Sequence, residues 1–138
     1  MVQKLYLDWS DIDLMVEDLR SQIEESGITL HSITGIPRGG LVAATCLSHA
    51  LGLPYIPFEA AKDTPERRRQ FILVVDDICD TGKTFQDIEV YGFQTAALFL
   101  RLDSPFKPEF ISRISEDDSW IVFPWERKDS KTIQDYLA

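Results

Sequence analysis

Apolar and polar positions follow two rhythms along this chain. Ile12, Met15, Val16, Leu19 and Ile23 recur three or four places apart, as on one face of an amphipathic helix. Ser10 is the expected N-cap, Asp11 and Asp13 sit in the first turn, and Gly27 is the expected stop. Shorter apolar runs then take over. Leu30 to Ile36 predicts a strand, Leu41 to Leu51 an apolar helix closed by Gly52, and Tyr55 to Phe58 another short strand. Phe71 to Val75 predicts a buried strand, Thr84 to Tyr91 the helix after it, and Thr95 to Leu102 the next strand. Trp120 to Phe123 predicts a last short strand before Pro124. Strands alternating with helices predict an α/β domain, a parallel sheet with helices on its faces. Glu59 to Gln70 breaks the pattern: it is polar, carries Lys62, Arg67, Arg68 and Arg69, and predicts an exposed, mobile loop. No repeat, low-complexity tract or linker divides residues 1–138, so one domain is expected.

Composition narrows the partners more than the fold. The chain is 44% hydrophobic and 27% charged, ordinary for a globular protein. Its net charge of -9 argues against general nucleic-acid binding, and any anion site must work against the global field. The N-terminal Met1-Val2-Gln3-Lys4-Leu5 lacks a signal-peptide layout, and no apolar run approaches the ~20 residues of a membrane span. Cys46 and Cys79 fit neither a disulfide framework nor a zinc site; they read as small packing residues in a cytoplasmic protein.

Chemistry concentrates at residues 71–84. The apolar run ends in Asp76 and Asp77, followed by Asp80 and the turn Thr81-Gly82-Lys83-Thr84. Two carboxylates at a strand end can hold vicinal hydroxyls or a hard cation. The turn can offer backbone N–H groups and hydroxyls to a phosphate at a helix N-terminus. A triphosphate P-loop is excluded, because Asp77 stands where that motif needs glycine. Acids beside a phosphate nest imply a ribose phosphate ligand. Gly35-Ile36-Pro37-Arg38-Gly39-Gly40 also joins a strand to a helix. It reads either as an ordinary turn or as an anion loop with Arg38 as a donor fork.

Residues 71–84 resemble the 5-phosphoribosyl-1-pyrophosphate (PRPP) signature of type I phosphoribosyltransferases: apolar strand, two acids, two variable residues, then Asp-Thr-Gly-x-Thr. The resemblance implies a three-layer fold, a mainly parallel sheet flanked by helices with a small C-terminal base-binding hood. It implies that Asp76 and Asp77 hold the ribose hydroxyls directly or through Mg²⁺. Asp80, Thr81, Gly82, Lys83 and Thr84 would wrap the 5-phosphate. Arg38, Gly39 and Gly40 look like the family's pyrophosphate loop; whether Pro37 gives it a cis bond is open. Asp118 to Glu126, with Trp120-Ile121 and Pro124-Trp125-Glu126, is similar to the C-terminal segment of bacterial xanthine-guanine phosphoribosyltransferases. There Trp120 would stack on the purine and Ile121 would read its edge, or Trp120 is a core aromatic. Trp125 reads as core. Arg101 falls where 6-oxopurine enzymes of the family carry lysine; it is a base contact or a solvated strand end.

The activity so implied is Mg²⁺-dependent transfer of ribose 5-phosphate from PRPP to a 6-oxopurine (guanine, xanthine or hypoxanthine). A nucleoside monophosphate and pyrophosphate are the products, with Asp80 and Arg38 as catalytic residues. A homo-oligomer, dimer or tetramer, is the family expectation. Two alternatives stand: a non-catalytic PRPP- or nucleotide-binding regulator, and a transferase acting on another base. The connection 57–70 is shorter than the family's excursion over the reacting centre. Arg67, Arg68 and Arg69 either swing over pyrophosphate or form a solvated face. His31 and His49 read as structural.

Overall fold

The computed structural model describes residues 3–129. Strand β1 (Lys4–Tyr6) leads into α1 (Trp9–Ser26), whose N-cap is Asp8 rather than Ser10. Asp8 Oδ1 accepts from the Asp11 N–H and Asp11 Oδ2 from the Asp8 N–H, each at 2.9 Å, a reciprocal capping box. Ser10 instead donates its hydroxyl to Asp8 Oδ1 at 2.7 Å. The five predicted apolar positions of α1 are all buried, and Gly27 ends the helix at φ 74°.

Next come β2 (Ser32–Gly35), α2 (Gly39–Leu51), the short helices α3 (Phe58–Lys62) and α4 (Glu66–Arg69), and β3 (Ile72–Cys79). Helix α5 (Lys83–Val90), β4 (Gln94–Arg101), β5 (Phe110–Ser115) and β6 (Trp120–Val122) complete the chain. A parallel sheet runs β2-β3-β4-β5, with Val75 opposite Gly35 on one side and Ala96 on the other. Its central strands are apolar over residues 72–75 and 96–100, where both faces are covered. Leu73 and Val75 pack with α1 and α2, whereas Ile72 and Val74 pack with Ala61, Ile88 and Phe93 on the opposite face. Fully buried leucines such as Leu19, Leu47, Leu73 and Leu98 each contribute about 1.5–3 kcal/mol of transfer free energy. The three layers match the expected fold.

Several sequence expectations change. Tyr55 to Phe58 is no strand: Tyr55 makes one parallel bridge to Ile33, and α3 begins at Phe58. Glu59 to Gln70 is not an irregular loop either, since it holds most of α3 and all of α4. Ala61 is fully buried, and the Arg69 guanidinium donates to Thr64 O at 2.9 Å while lying over the Tyr91 and Phe93 rings. Strand β3 runs beyond Val75 to Cys79, so both acids lie within it. Strands β1 and β5 have no counterpart in the sequence prediction.

Helix α2 leaves β2 for one face of the sheet, and α5 leaves the neighbouring β3 for the other. Connections that diverge from adjacent parallel strands open a crevice at the strands' C-terminal ends. Strand β5 ends at the same pole, five residues before Trp120. The parallel pair β1-β6, with Leu5 opposite Ile121, then carries Trp120 and Ile121 across that crevice.

Candidate active site

The first wall is the end of β3. Asp77 N–H donates to Asp76 Oδ1 and Ile78 N–H to Asp77 Oδ1, both at 2.8 Å. These bonds fix the two carboxylates, and a carboxylate has capacity for further donors or a cation. Beyond them Gly82 adopts φ 81°, and a Cβ there would come within 2.5 Å of Phe106 Cβ. The turn needs glycine both for its left-handed backbone and for this close approach. Phe106 stacks on Phe85 with centroids 6.4 Å apart, and the buried Cys79 thiol lies 3.7 Å from Ser104 Oγ. The connection from β4 to β5 therefore braces the turn from behind. Burial pushes the Cys79 thiol up, with the Asp76 and Asp80 charges adding to it, so it stays neutral. At the start of α5, the N–H groups of the first turn have no partner inside the helix and carry its positive dipole end.

The second wall is the turn from β2 to α2. Ile36 N–H donates to Val75 O at 2.9 Å, and the Pro37–Arg38 peptide is cis. A side chain at Gly35 would strike Gly40, and one at Gly39 would strike the Asp77 carboxylate. A Cβ at Gly40 would lie 2.5 Å from Val75 O. The three glycines thus press the start of α2 directly onto the acid-bearing part of β3.

The third wall comes from β4, β6 and the turn after β6. Arg101 ends β4, and its Nε lies 3.9 Å from Asp80 Oδ1. Trp120 N–H donates to Gln3 O at 2.7 Å, which fixes the beginning of β6. Trp120 Nε1 is buried and has no hydrogen-bond partner. Trp125 lies behind this wall, stacked on Phe123 at 4.8 Å and tilted against Trp9 at 5.9 Å. That is the core role expected of it.

Together the walls enclose a crevice of about 150 Å³ that opens to solvent. Arg38, Gly39, Asp76, Asp77, Asp80, Thr81, Gly82, Thr84, Arg101, Trp120 and Ile121 all line it. Gly40 and Lys83 do not: Gly40 is buried behind Gly39 and Lys83 is exposed on α5. The sequence reading missed Phe85, Phe123 and Glu126 as lining residues. Glu126 Oε1 accepts the Phe123 N–H at 3.0 Å, and its only sequence signal is the acid of the Pro-Trp-acid triplet. The lining carries four carboxylates (Asp76, Asp77, Asp80, Glu126) against two guanidiniums (Arg38, Arg101). This excess of carboxylates works against a polyanion entering alone.

Arg67, Arg68 and Arg69 lie elsewhere. Helix α4 precedes the N-terminal end of β3, an eight-residue strand. At ~3.3 Å per residue the cluster is some 20 Å from the crevice. Arg67 and Arg68 form a solvated face, and Arg69 staples α4 to the end of α5.

No family model matches the sequence. The structure is similar to the purine phosphoribosyltransferase of Pyrococcus horikoshii, at 26% identity and TM-score 0.74, covering 94% of this chain and 98% of that one. It is also similar to the Helicobacter pylori xanthine-guanine-hypoxanthine phosphoribosyltransferase, at 22% identity, TM-score 0.73 and coverage of 90% and 94%. A Neisseria gonorrhoeae protein with bound ppGpp is similar at 22% identity, TM-score 0.74 and coverage of 94% and 92%. The fold is the type I phosphoribosyltransferase fold of these neighbours. No helix among the described residues is long and apolar enough to cross a membrane.

Proposed function

We propose that the protein is a Mg²⁺-dependent purine phosphoribosyltransferase that moves ribose 5-phosphate from PRPP to a 6-oxopurine. One observation carries this reading: the phosphate turn at 81–84, the Asp76-Asp77 pair, the Arg38 loop and Trp120-Ile121 converge on a single crevice. Each matches one part of the two substrates. Thr81, Gly82 and Thr84, with the N–H groups at the start of α5, hold the 5-phosphate, and exposed Lys83 adds charge from outside. Asp76 and Asp77 hold the ribose hydroxyls. Arg38 and the Gly39 amide take the pyrophosphate, while Trp120 and Ile121 take the base; Gly40, expected in the pyrophosphate loop, instead donates its N–H to Ile36 O at 2.9 Å.

The donor set fits a hard cation that borrows the remaining ligands from phosphate, as Mg²⁺ does. Among the described residues no three His, Cys, Asp or Glu side chains converge to hold a metal alone, which agrees with a cation arriving with PRPP. Asp76 and Asp77 would hold Mg²⁺, which would supply positive charge against the negative charge of the departing pyrophosphate. The purine N9 lone pair forms the bond to ribose C1 as the C1–O bond breaks and pyrophosphate leaves with that electron pair. Asp80 takes the N7 proton. Arg38 neutralises charge growing on the leaving group, and holding base and sugar in line lowers the entropic barrier. A cytoplasmic homo-oligomer, dimer or tetramer, goes with this reading.

A second reading is favoured by the packing of residues 57–70 away from the crevice. No lid from that segment excludes water, which suits a binder better than a transferase. The nucleotide ppGpp in the Neisseria gonorrhoeae protein is a ligand such a binder would take. Incubation with PRPP, Mg²⁺ and each of guanine, xanthine, hypoxanthine, adenine and uracil separates the two. Nucleotide and pyrophosphate form with a 6-oxopurine if the protein is an enzyme. PRPP binding without turnover on any base would leave only the binder.

A further inference from the structure

Arg101 makes several bonds at the edge of the crevice. Its Nη1 donates to Ser115 Oγ at 3.0 Å, Asp117 O at 3.2 Å and Ser119 O at 2.7 Å. Its side chain is 13% exposed, and Leu102 N–H adds a backbone bond to Ser115 O at 3.0 Å. The segment 115–119 thus wraps around one guanidinium nitrogen. The same segment folds on itself: Asp117 Oδ1 accepts the Ser119 N–H at 2.9 Å. That bond, with a smaller contribution from the Arg101 charge, holds the Asp117 carboxyl below its usual range.

Ser119 is followed directly by Trp120, whose N–H is tied to Gln3 O on the other side. Trp120 is therefore held between two anchors, β1 and the Arg101 guanidinium. We infer that Arg101 is a positioning residue for purine bases: it fixes the 115–119 segment, and through Ser119 the face of Trp120, rather than reading the base itself. The inference rests on the base-site reading above. Arginine suits this task where lysine would not, because its planar fork aims Nη1 at the segment while Nε faces Asp80 across the crevice. The proton acceptor and the base platform thereby share one rigid strut.

The test uses Arg101→Met and Arg101→Lys in the full chain, with two readouts that do not need turnover. The first is hydrogen–deuterium exchange of residues 115–122 without ligand. Arg101→Met should speed it about tenfold or more, the scale of losing hydrogen bonds to a charged donor. Unchanged exchange overturns the strut and makes any base effect a direct contact. The second is calorimetric titration with GMP and, separately, ribose 5-phosphate. Arg101→Met should weaken GMP about tenfold or more, the scale of one base stack, and leave ribose 5-phosphate within about twofold. Arg101→Lys should recover part of both losses. Equal weakening of the two ligands, or none, overturns the positioning role. Failure of the unmodified protein to bind either ligand would instead sink the proposed function, with exchange still deciding whether the strut exists.

Discussion

Gly39→Ala separates folding from ligand binding at one atom. The added Cβ would occupy the place of the Asp77 carboxylate, which is bonded to the Ile78 N–H at 2.8 Å. The new methyl favours the helix by about 0.5–1 kcal/mol relative to glycine. Displacing Asp77 loses a charge-assisted bond of about 1.5–3 kcal/mol, toward the low end because the site is half exposed. The net loss of stability is then about 1 kcal/mol, a shift readable in a urea titration. Ligand binding has no such offset. Asp77 no longer meets the ribose hydroxyls or their cation, and the same 1.5–3 kcal/mol becomes roughly a 10- to 150-fold weaker PRPP affinity. Calorimetric titration with PRPP and Mg²⁺ reads this directly. Affinity within about twofold of the unmodified protein would show that Asp77 does not hold the sugar. A stability loss above about 3 kcal/mol would show that the methyl disrupts the backbone instead.

Gly82→Ala should lower Tm by about 5–15 °C, because its φ of 81° and the approach of Phe106 both resist a side chain; an unchanged Tm would contradict the brace behind the phosphate turn. Leu47→Ala should cost about 2–5 kcal/mol in a urea titration while leaving PRPP affinity intact, since Leu47 lies on the buried face of α2 and lines no part of the crevice. The Ser10 hydroxyl, then the Asp11 backbone N–H, hold the Asp8 carboxyl below its usual range, so its stabilisation is present above the ordinary carboxylate pKa and lost as pH falls through the lowered one. Asp8→Asn keeps the cap but should flatten that acid-side loss in thermal melts; an unchanged acid limb refutes it. Burial raises both thiols, so Cys46 and Cys79 should react with a disulfide reagent at pH 7–8 more slowly than free cysteine, and stability should fall as pH rises past the ordinary thiol value of about 8.5. EDTA should weaken PRPP more than ribose 5-phosphate, because the larger anion enters a lining in excess of carboxylates; equal weakening would remove the cation from the proposal.

What sequence disclosed and what it hid follow from range. The phosphate turn was legible because a run of buried residues, two acids and a Thr-Gly turn are all local. So was α1, whose apolar stripe is fixed by helical spacing. Asp76 and Asp77 were taken for the end of a strand because polarity marks where burial stops, yet the extended backbone continues to Cys79 through the partly exposed residues 76–78. Strand β5 escaped notice because it lies at the sheet edge, with Ile114 half exposed, and follows Pro105 and Pro108. The charged stretch 59–70 concealed α3 and α4 because their anchors, Ala61 and Arg69, find partners in β3, α5 and the turn after it. The placement of Arg101 was legible, but its three partners were not, since segment 115–119 offers no pattern that names a donor in β4.

The pair β1-β6 joins Lys4 to Trp120 and Tyr6 to Val122, residues more than a hundred positions apart. The residues proposed to meet sugar and phosphate all lie between Arg38 and Thr84, far in sequence from those proposed to meet the base. The proposed base platform rests on the pairing of residues 120–122 with residues 4–6. This pairing is separate from the four-stranded sheet, so local opening there would expose the base platform while that sheet stays intact. On the proposed function, that opening is a route for the base through a clasp formed by residues 4–6 and 120–122.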